Sequence, residues 1–315
     1  MWQDRLKLHF IVLLWGFTAI LGDLISLNAL EVVMYRTLIA TIGTGLLIVW
    51  EQKQKKATKK KALLVPQTAD GKPDLKRALQ FMGIGVVIGL HWICFFGGVK
   101  VANVSVCLAG LATASLWTAI IDPLVRGKSI KGFEILLGVI VLIGLGVIFS
   151  IGIERDNFIW GLILGIAAAV LAAVFSTLNG IFTQDYHHYT ITMYGMMGAF
   201  LTSTLGATTY ALVSSEPQLW FPTLADWGWL FLLGGVCTVY AYSVSVELLQ
   251  RISVFTMNLA VNLEPIYGFI LAAILFEEYK DLRDTFYIGA FIVILAVALH
   301  PLIQRWEKKH KTSLL

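Results

Sequence analysis

Charged residues are scarce in this chain of 315 residues: Asp, Glu, Lys and Arg make up 14% of it, against about 25% in an average soluble domain. Hydrophobic residues make up 57%, and the mean hydropathy is +0.77. There are only three cysteines, Cys94, Cys107 and Cys237, an odd number at no metal-ligand spacing. These shortages exclude a soluble protein, a disordered chain and a disulfide scaffold, and they indicate an integral membrane protein without a metal site.

The polar segment at residues 51–78 holds a cluster of lysines between two hydrophobic runs. A lysine cluster is compatible with nucleic-acid binding, but this position is typical of a cytoplasmic loop that obeys the positive-inside rule. We therefore expect no nucleic-acid partner. The sequence has no Walker-type phosphate loop, so we expect neither ATP nor another cofactor. Arg5 and Lys7 precede a long apolar run with no cleavage site, which indicates a retained first span.

Ten apolar segments are long enough to cross a bilayer, since a helix needs about 20 residues to span about 30 Å. They lack the strict alternation of a transmembrane barrel, so the predicted fold is all-α. The predicted spans are residues 8–26, 30–50, 79–99, 103–125, 133–152, 158–182, 190–213, 227–249, 253–276 and 285–303.

The distribution of lysine and arginine predicts the orientation of these spans. With both termini in the cytoplasm, 19 of the 24 basic side chains lie on the cytoplasmic side and four on the other, while Arg36 lies within a span. The positive-inside rule therefore predicts a multi-pass protein of the cytoplasmic (inner) membrane with both termini inside.

The chain resembles itself at an offset of about 151 residues, at which Lys100 falls on Arg251. We predict a first five-helix repeat over residues 1–152 and a second over residues 153–315. Because five is odd, the second repeat enters the membrane inverted relative to the first. Inverted repeats are typical of secondary transporters, in which two halves enclose a central cavity and expose it to either side in turn.

The sequence also resembles the EamA-type transporters of the drug/metabolite transporter superfamily over nearly its whole length. The similarity rests on a motif at the start and on polar and glycine positions in the second half. These are LLWGF at residues 13–17 with Arg36, and Glu264 with Pro265, Glu277 and Gly289. The resemblance implies a ten-helix exporter of amino acids and related small metabolites, with a central cavity and the last span of each half as support.

Two ionisable residues within spans are the main candidates for function, because a charge at bilayer depth is costly. Arg36 is a candidate receiver for a substrate carboxylate, and the alternative is a structural ion pair with Glu31 or Asp23. Glu264 lies near the midplane and is a candidate proton carrier or receiver for a substrate ammonium. Its alternative is a neutral acid bonded to a backbone carbonyl released by Pro265.

Weaker candidates are polar or aromatic residues at similar depth, each of which is also compatible with simple packing. Asn262 is a secondary candidate, because about 200° of helix separates it from Glu264. As a set, the aromatic residues favour a cavity that accepts apolar or aromatic side chains. These further candidates are His91, Trp92, Asn262, Trp15, Trp117, Tyr194, Tyr240 and Tyr242.

We therefore predict a secondary transporter that exports small amphipathic metabolites, amino acids first, by alternating access. The alternative substrates are phosphate-bearing metabolites or nucleotide sugars, which call for several basic residues in the core. A membrane-embedded enzyme or a sensor is a further alternative, but no HExxH or GxSxG motif is present. The expected partners are a small molecule and the bilayer. Glycine pairs such as Gly85 and Gly89 indicate close helix packing, and monomer and homodimer both remain open.

Overall fold

The computed structural model describes residues 2–54, 61–68, 70–102, 104–148, 157–214, 221–264, 266–267 and 284–312. Within these ranges the fold is built from helices. The first half contains α1 (Trp2–Gly16), α2 (Thr18–Leu24), α3 (Ala29–Lys53), α4 (Leu75–Val101), α5 (Val104–Leu111), α6 (Ala114–Val125) and α7 (Gly132–Ile148). The second contains α8 (Phe158–Phe182), α9 (His188–Val213), α10 (Leu224–Phe231), a π-helical segment (Leu232–Tyr240), α11 (Ala241–Leu248), α12 (Val254–Val261) and α13 (Asp284–Thr312).

Seven helical stretches of the described chain are long and apolar enough to cross a bilayer, and the shorter apolar helix Gly132–Val147 adds to them. The chain is therefore a multi-pass membrane protein with an all-helical fold. The predicted span 253–276 is described only in part, since residues 268–283 lie outside the described ranges together with Pro265.

Two of the predicted spans of the first half are not the continuous helices that their apolar runs indicate. The first is divided at Phe17, where the Thr18 hydroxyl donates to the Trp15 carbonyl at 2.8 Å. The fourth is divided after Leu111, where the backbone N–H and the hydroxyl of Thr113 both bond to the Gly110 carbonyl. In both breaks a threonine hydroxyl donates a hydrogen bond to a backbone carbonyl three residues earlier and so supports a tighter local turn. A hydropathy profile does not detect this effect.

The eighth span contains a wider turn. Residues Leu232–Tyr240 form a π-helix between α10 and α11. The Thr238 hydroxyl reaches back five residues and donates to the Leu233 carbonyl at 2.8 Å. A stretch of nine π-helical residues is rare, and π-turns are frequently found at functional sites. This segment changes the direction of side chains relative to a continuous α-helix.

Helices of the first half pack along helices of the second half. Helix α4 lies along α9, α3 lies along the π-segment, and α7 lies along α13. One close approach is at Gly85 of α4, where a Cβ would lie 2.8 Å from the Gly198 Cα of α9. The small residues therefore serve contacts between helices of one chain, which is the use that small-xxx-small spacing allows.

The polar segment after α3 folds back on the second half. The Thr190 hydroxyl of α9 accepts a hydrogen bond from the Leu63 N–H and donates one to the Leu63 carbonyl at 2.9 Å. The Tyr194 hydroxyl donates to the Leu64 carbonyl at 3.0 Å. Part of the basic loop is thus attached to the end of the helix bundle at which α3 ends and α9 begins.

Candidate functional site

A cavity of about 100 Å³ lies between the two halves, with a lining that is mostly apolar. Its walls come from the α1–α2 break, α3, α4, the α5–α6 break, α8, α11 and α12. The lining extends from Arg36 and Glu264 towards Leu249 and Met257, at the end of the bundle where α11 ends and α12 begins. A cavity of this size accommodates a small solute or several water molecules.

The breaks in the helices lie at this cavity. Trp15 and Thr18 flank the first break, Leu111 and Ala114 flank the second, and all four line the cavity. Helix α12 also ends here, just before Glu264, in a turn whose N–H groups reach back three residues. Non-helical backbone at membrane depth is tolerated where it borders a cavity, and such breaks supply polar groups to it.

Arg36 lies in the cavity wall and is only 3% exposed. Its Nε donates to the Thr238 hydroxyl at 2.7 Å, and its Cζ lies 4.1 Å from the centre of the Trp92 ring. A guanidinium over an aromatic face is stabilised by the ring quadrupole. No ion pair joins Arg36 to Glu31 within 4.0 Å in the described structure, and the Asp23 side chain lies outside the described residues.

Glu264 lines the same cavity and is buried. The Thr18 hydroxyl, which donates its proton to the Trp15 carbonyl at 2.8 Å, lies 3.5 Å from the Glu264 Oε1, a polar contact across the interface of the two halves. Both charged residues border the cavity, yet within the described chain no ion pair connects Arg36 and Glu264 at 4.0 Å or less. The site therefore presents an acid and a base that do not neutralise each other by direct contact.

The remaining polar wall is formed by side chains with fixed partners. The His91 Nδ1 lies 2.7 Å from the Ala168 carbonyl, which can only accept, so this nitrogen carries the proton. The Asn179 amide donates to the Tyr242 hydroxyl at 2.7 Å. Asn258 donates to Thr118 at 2.7 Å, and it also lines the cavity. These bonds fix the shape of the wall.

Six of the ten residues singled out from the sequence line the cavity: Trp15, Arg36, His91, Trp92, Tyr242 and Glu264. The other four have different surroundings. Asn262 donates to Ser115 at 3.1 Å, and Trp117 donates to Thr113 at 3.1 Å. Tyr194 bonds to the loop after α3, and Tyr240 is 44% exposed with its ring against Phe10.

Sequence reasoning missed the wall that α8 supplies. Ala172, Phe175, Ser176 and Asn179 all line the cavity, at the i, i+3, i+4 and i+7 spacing of one helix face. Polar residues on one face of an otherwise apolar span are the signal that could have identified them. The described residues contain no group of three or more His, Cys, Asp or Glu side chains placed to bind a metal ion.

On the side away from the basic loop, two contacts join the ends of the helices. Asp226 accepts hydrogen bonds from the Ser26 N–H at 2.8 Å and the Ser26 hydroxyl at 2.7 Å. It also closes a capping box with Thr223 at the start of α10. We call the two Ser26–Asp226 bonds the Ser26–Asp226 clamp. Four residues before Ser26, a Cβ at Gly22 would lie 2.6 Å from Phe96, so α2 packs directly on α4.

The fold and cavity define a helical membrane protein with a small polar site enclosed by two halves. The model of the EamA-like transporter family matches residues 8–150 and 159–300, two segments that begin 151 residues apart. The chain belongs to the EamA-like transporter family.

Among solved structures, a protein described only by the words "Crystal structure of protein" has the same fold. It is 16% identical, with a TM-score of 0.71, over 96% of this chain and 98% of that one. A comparison with curated proteins gives no match.

Proposed function

We propose that this protein is a secondary transporter that exports small amphipathic metabolites, amino acids first among them, across the cytoplasmic membrane by alternating access. Membership of a transporter family gives the class. The observation that carries the proposal further is that a basic and an acidic side chain, Arg36 and Glu264, border one cavity without bonding to each other.

A zwitterion complements such a site. The substrate carboxylate binds the guanidinium of Arg36, which can offer two parallel donors to it. The ammonium group turns to Glu264, and the apolar part of the substrate contacts the aromatic wall around Trp92 and Tyr242. Desolvating two charges is costly, and a site that already holds both opposite charges offsets that cost.

Alternating access is supported by the arrangement of the halves. We propose ten spans in two inverted five-helix repeats, with the boundary near residue 152. The pairs α4 with α9 and α3 with the π-segment are the third span on the seventh and the second on the eighth. A two-fold axis in the membrane plane that exchanges spans 1–5 with 6–10 converts each of these pairs into the other.

We propose the cytoplasmic side to be the side of the basic loop, as the distribution of lysine and arginine favours. The cavity lining extends towards that side, whereas the Ser26–Asp226 clamp covers the opposite side. The described conformation then corresponds to a transporter closed to the exterior. Opening to the exterior requires this clamp to separate.

Proton coupling through Glu264 is tested with the purified protein in liposomes. Wild-type protein exchanges labelled L-leucine in counterflow and accumulates it when a pH gradient is imposed. Glu264→Gln is expected to retain a slower counterflow, because the amide oxygen still accepts from the substrate ammonium, but to lose the accumulation, because an amide cannot carry the proton. Glu31→Gln is the matched control, since Glu31 is a buried carboxylate outside the cavity lining.

Three results would contradict the proposal. Accumulation by Glu264→Gln equal to wild type at every pH would eliminate the proton carrier. Equal losses in Glu31→Gln and Glu264→Gln would mean a general effect of removing a buried acid. Absence of exchange for L-leucine and other amino acids by a folded wild-type protein would refute amino-acid transport itself.

The alternative of a phosphate-bearing substrate is less well supported. Arg36 is the one lysine or arginine among the described residues that line the cavity. A doubly charged phosphate group enters a low-dielectric site at high cost, and one guanidinium beside a carboxylate compensates for only part of it. Counterflow with a sugar phosphate in the same liposomes distinguishes the two substrate classes.

A further inference from the structure

We infer that Thr238 is a positioning residue that sets the specificity of the cavity for carboxylates, by fixing which donors of Arg36 remain for the substrate. This inference deepens the proposed function and rests on it. It concerns a residue that does not line the cavity and acts only through the guanidinium.

The direction of the hydrogen bonds around Thr238 is determined by chemistry. A threonine hydroxyl has one proton, and here it is used on the Leu233 carbonyl at 2.8 Å. Towards Arg36 the same oxygen can therefore only accept, and it takes the Nε–H at 2.7 Å. Thr238 is fully buried, so water does not compete for this oxygen.

This bond occupies one of the five N–H donors of Arg36. The four that remain belong to the two terminal amino groups, and no hydrogen bond to them is found in the described part of the chain. Trp92 covers a face of the guanidinium plane, with the Cζ 4.1 Å from the ring centre. With one edge and one face held, the terminal amino groups keep one orientation from which to donate to a carboxylate in parallel.

The π-helix makes this contact possible. The Thr238 hydroxyl bonds five residues back, to Leu233, whereas in an α-helix a threonine hydroxyl bonds three or four residues back. The same segment offers its Cys237 carbonyl to the Trp15 indole N–H at 3.0 Å. Two cavity residues from the first half are thus held by one distorted turn of the second half.

The experiment compares L-leucine with 3-methylbutylamine, the same molecule without its carboxylate, as competitors of counterflow in liposomes. Thr238→Val keeps the shape of the side chain and removes the acceptor, and Thr238→Ser keeps the acceptor. We expect Thr238→Val to weaken the competition by L-leucine about tenfold and to leave the competition by the amine unchanged. The reason is that one hydrogen bond to a charged group holds the orientation of the Arg36 guanidinium. Thr238→Ser is expected to retain the wild-type ratio.

The outcomes separate this inference from the proposed function. A wild-type protein that recognises neither compound, or both equally, overturns the carboxylate role of Arg36 and the role of Thr238 with it. A wild-type preference that persists in Thr238→Val overturns the positioning role alone. An equal loss for both compounds, or a Thr238→Ser protein that behaves like Thr238→Val, assigns Thr238 to structure only. If Thr238→Val does not fold, Thr238→Ala removes the same acceptor without adding a contact.

Discussion

The clamp between Ser26 and Asp226 gives a quantitative prediction about access to the cavity. Ser26→Ala removes the hydroxyl that donates to Asp226 at 2.7 Å and leaves the backbone N–H bond at 2.8 Å. A hydrogen bond to a charged group contributes about 1.5–3 kcal/mol. Because Ser26 is exposed, we use the lower limit, about 1.5 kcal/mol, which corresponds to about a tenfold change in the ratio of closed to open protein.

Access is measured by the rate at which a cysteine in the cavity reacts with a charged thiol reagent. Ser176→Cys supplies the thiol, since Ser176 lines the cavity, and the three native cysteines are replaced. The reagent is applied to vesicles of defined orientation on the face where Ser26 lies. We expect labelling about ten times faster with Ser26→Ala than without it.

The matched control separates a loosened gate from a weakened helix. Thr223→Ala removes the two bonds between the Thr223 hydroxyl and Asp226 at the start of α10, but it leaves the backbone N–H bond of residue 223 and both bonds between Ser26 and Asp226. It is expected to lower the stability by about 1 kcal/mol without increasing the labelling rate. Equal labelling rates in the parent and in a folded Ser26→Ala protein would refute the clamp as the outer barrier.

Two further predictions concern packing, and both are read from the melting temperature of the purified protein. Gly85→Ala is expected to cost about 1–3 kcal/mol because its Cβ would meet the backbone of α9, whereas Gly83→Ala, two residues earlier on the same helix, has nothing within 4 Å and should cost nothing. Similar melting temperatures for these two variants would contradict the close packing. Asn262→Leu should destabilise the protein by about 1–3 kcal/mol, because the buried Ser115 hydroxyl loses its partner, and the additional change Ser115→Ala should recover part of this loss. No recovery would indicate that Asn262 acts by shape alone.

The sequence predicts the membrane class and the all-helical fold because both follow from long apolar runs. It does not predict where a run is divided. Phe17 and the turn around Thr113 lie in apolar surroundings, and their breaks depend on which carbonyl a threonine hydroxyl takes. The free energy that decides where a helix breaks is thus about that of one hydrogen bond, which is too small to appear in a hydropathy profile averaged over about 20 residues.

Depth along a span is easier to predict than direction around it. Tyr240 and Tyr242 lie at nearly the same depth, but two residues rotate a helix by about 200°, so one tyrosine faces the cavity and the other is exposed. Asn262, which bonds to Ser115, is likewise separated from Glu264 in the cavity wall by the turn that ends α12. A residue list based on depth alone therefore includes residues that do not line the cavity, here four of the ten candidates.

The two family repeats allow equivalent positions on the two sides of the cavity to be compared. At the offset of 151 residues that separates the matched segments, Glu264 corresponds to Thr113. Glu264 follows two N–H groups that reach back three residues, and at the first break the N–H of Thr113 itself reaches back three residues, to Gly110. Thr113 uses its hydroxyl on its own backbone, whereas the longer Glu264 side chain extends into the cavity. Duplication thus supplies two equivalent breaks, and the second one alone places an ionisable group opposite Arg36. In the proposed exporter the proton and the substrate ammonium compete for Glu264 of the second half, while the substrate carboxylate binds Arg36 of the first, so loading the cavity with substrate joins the two halves across the interface that must move.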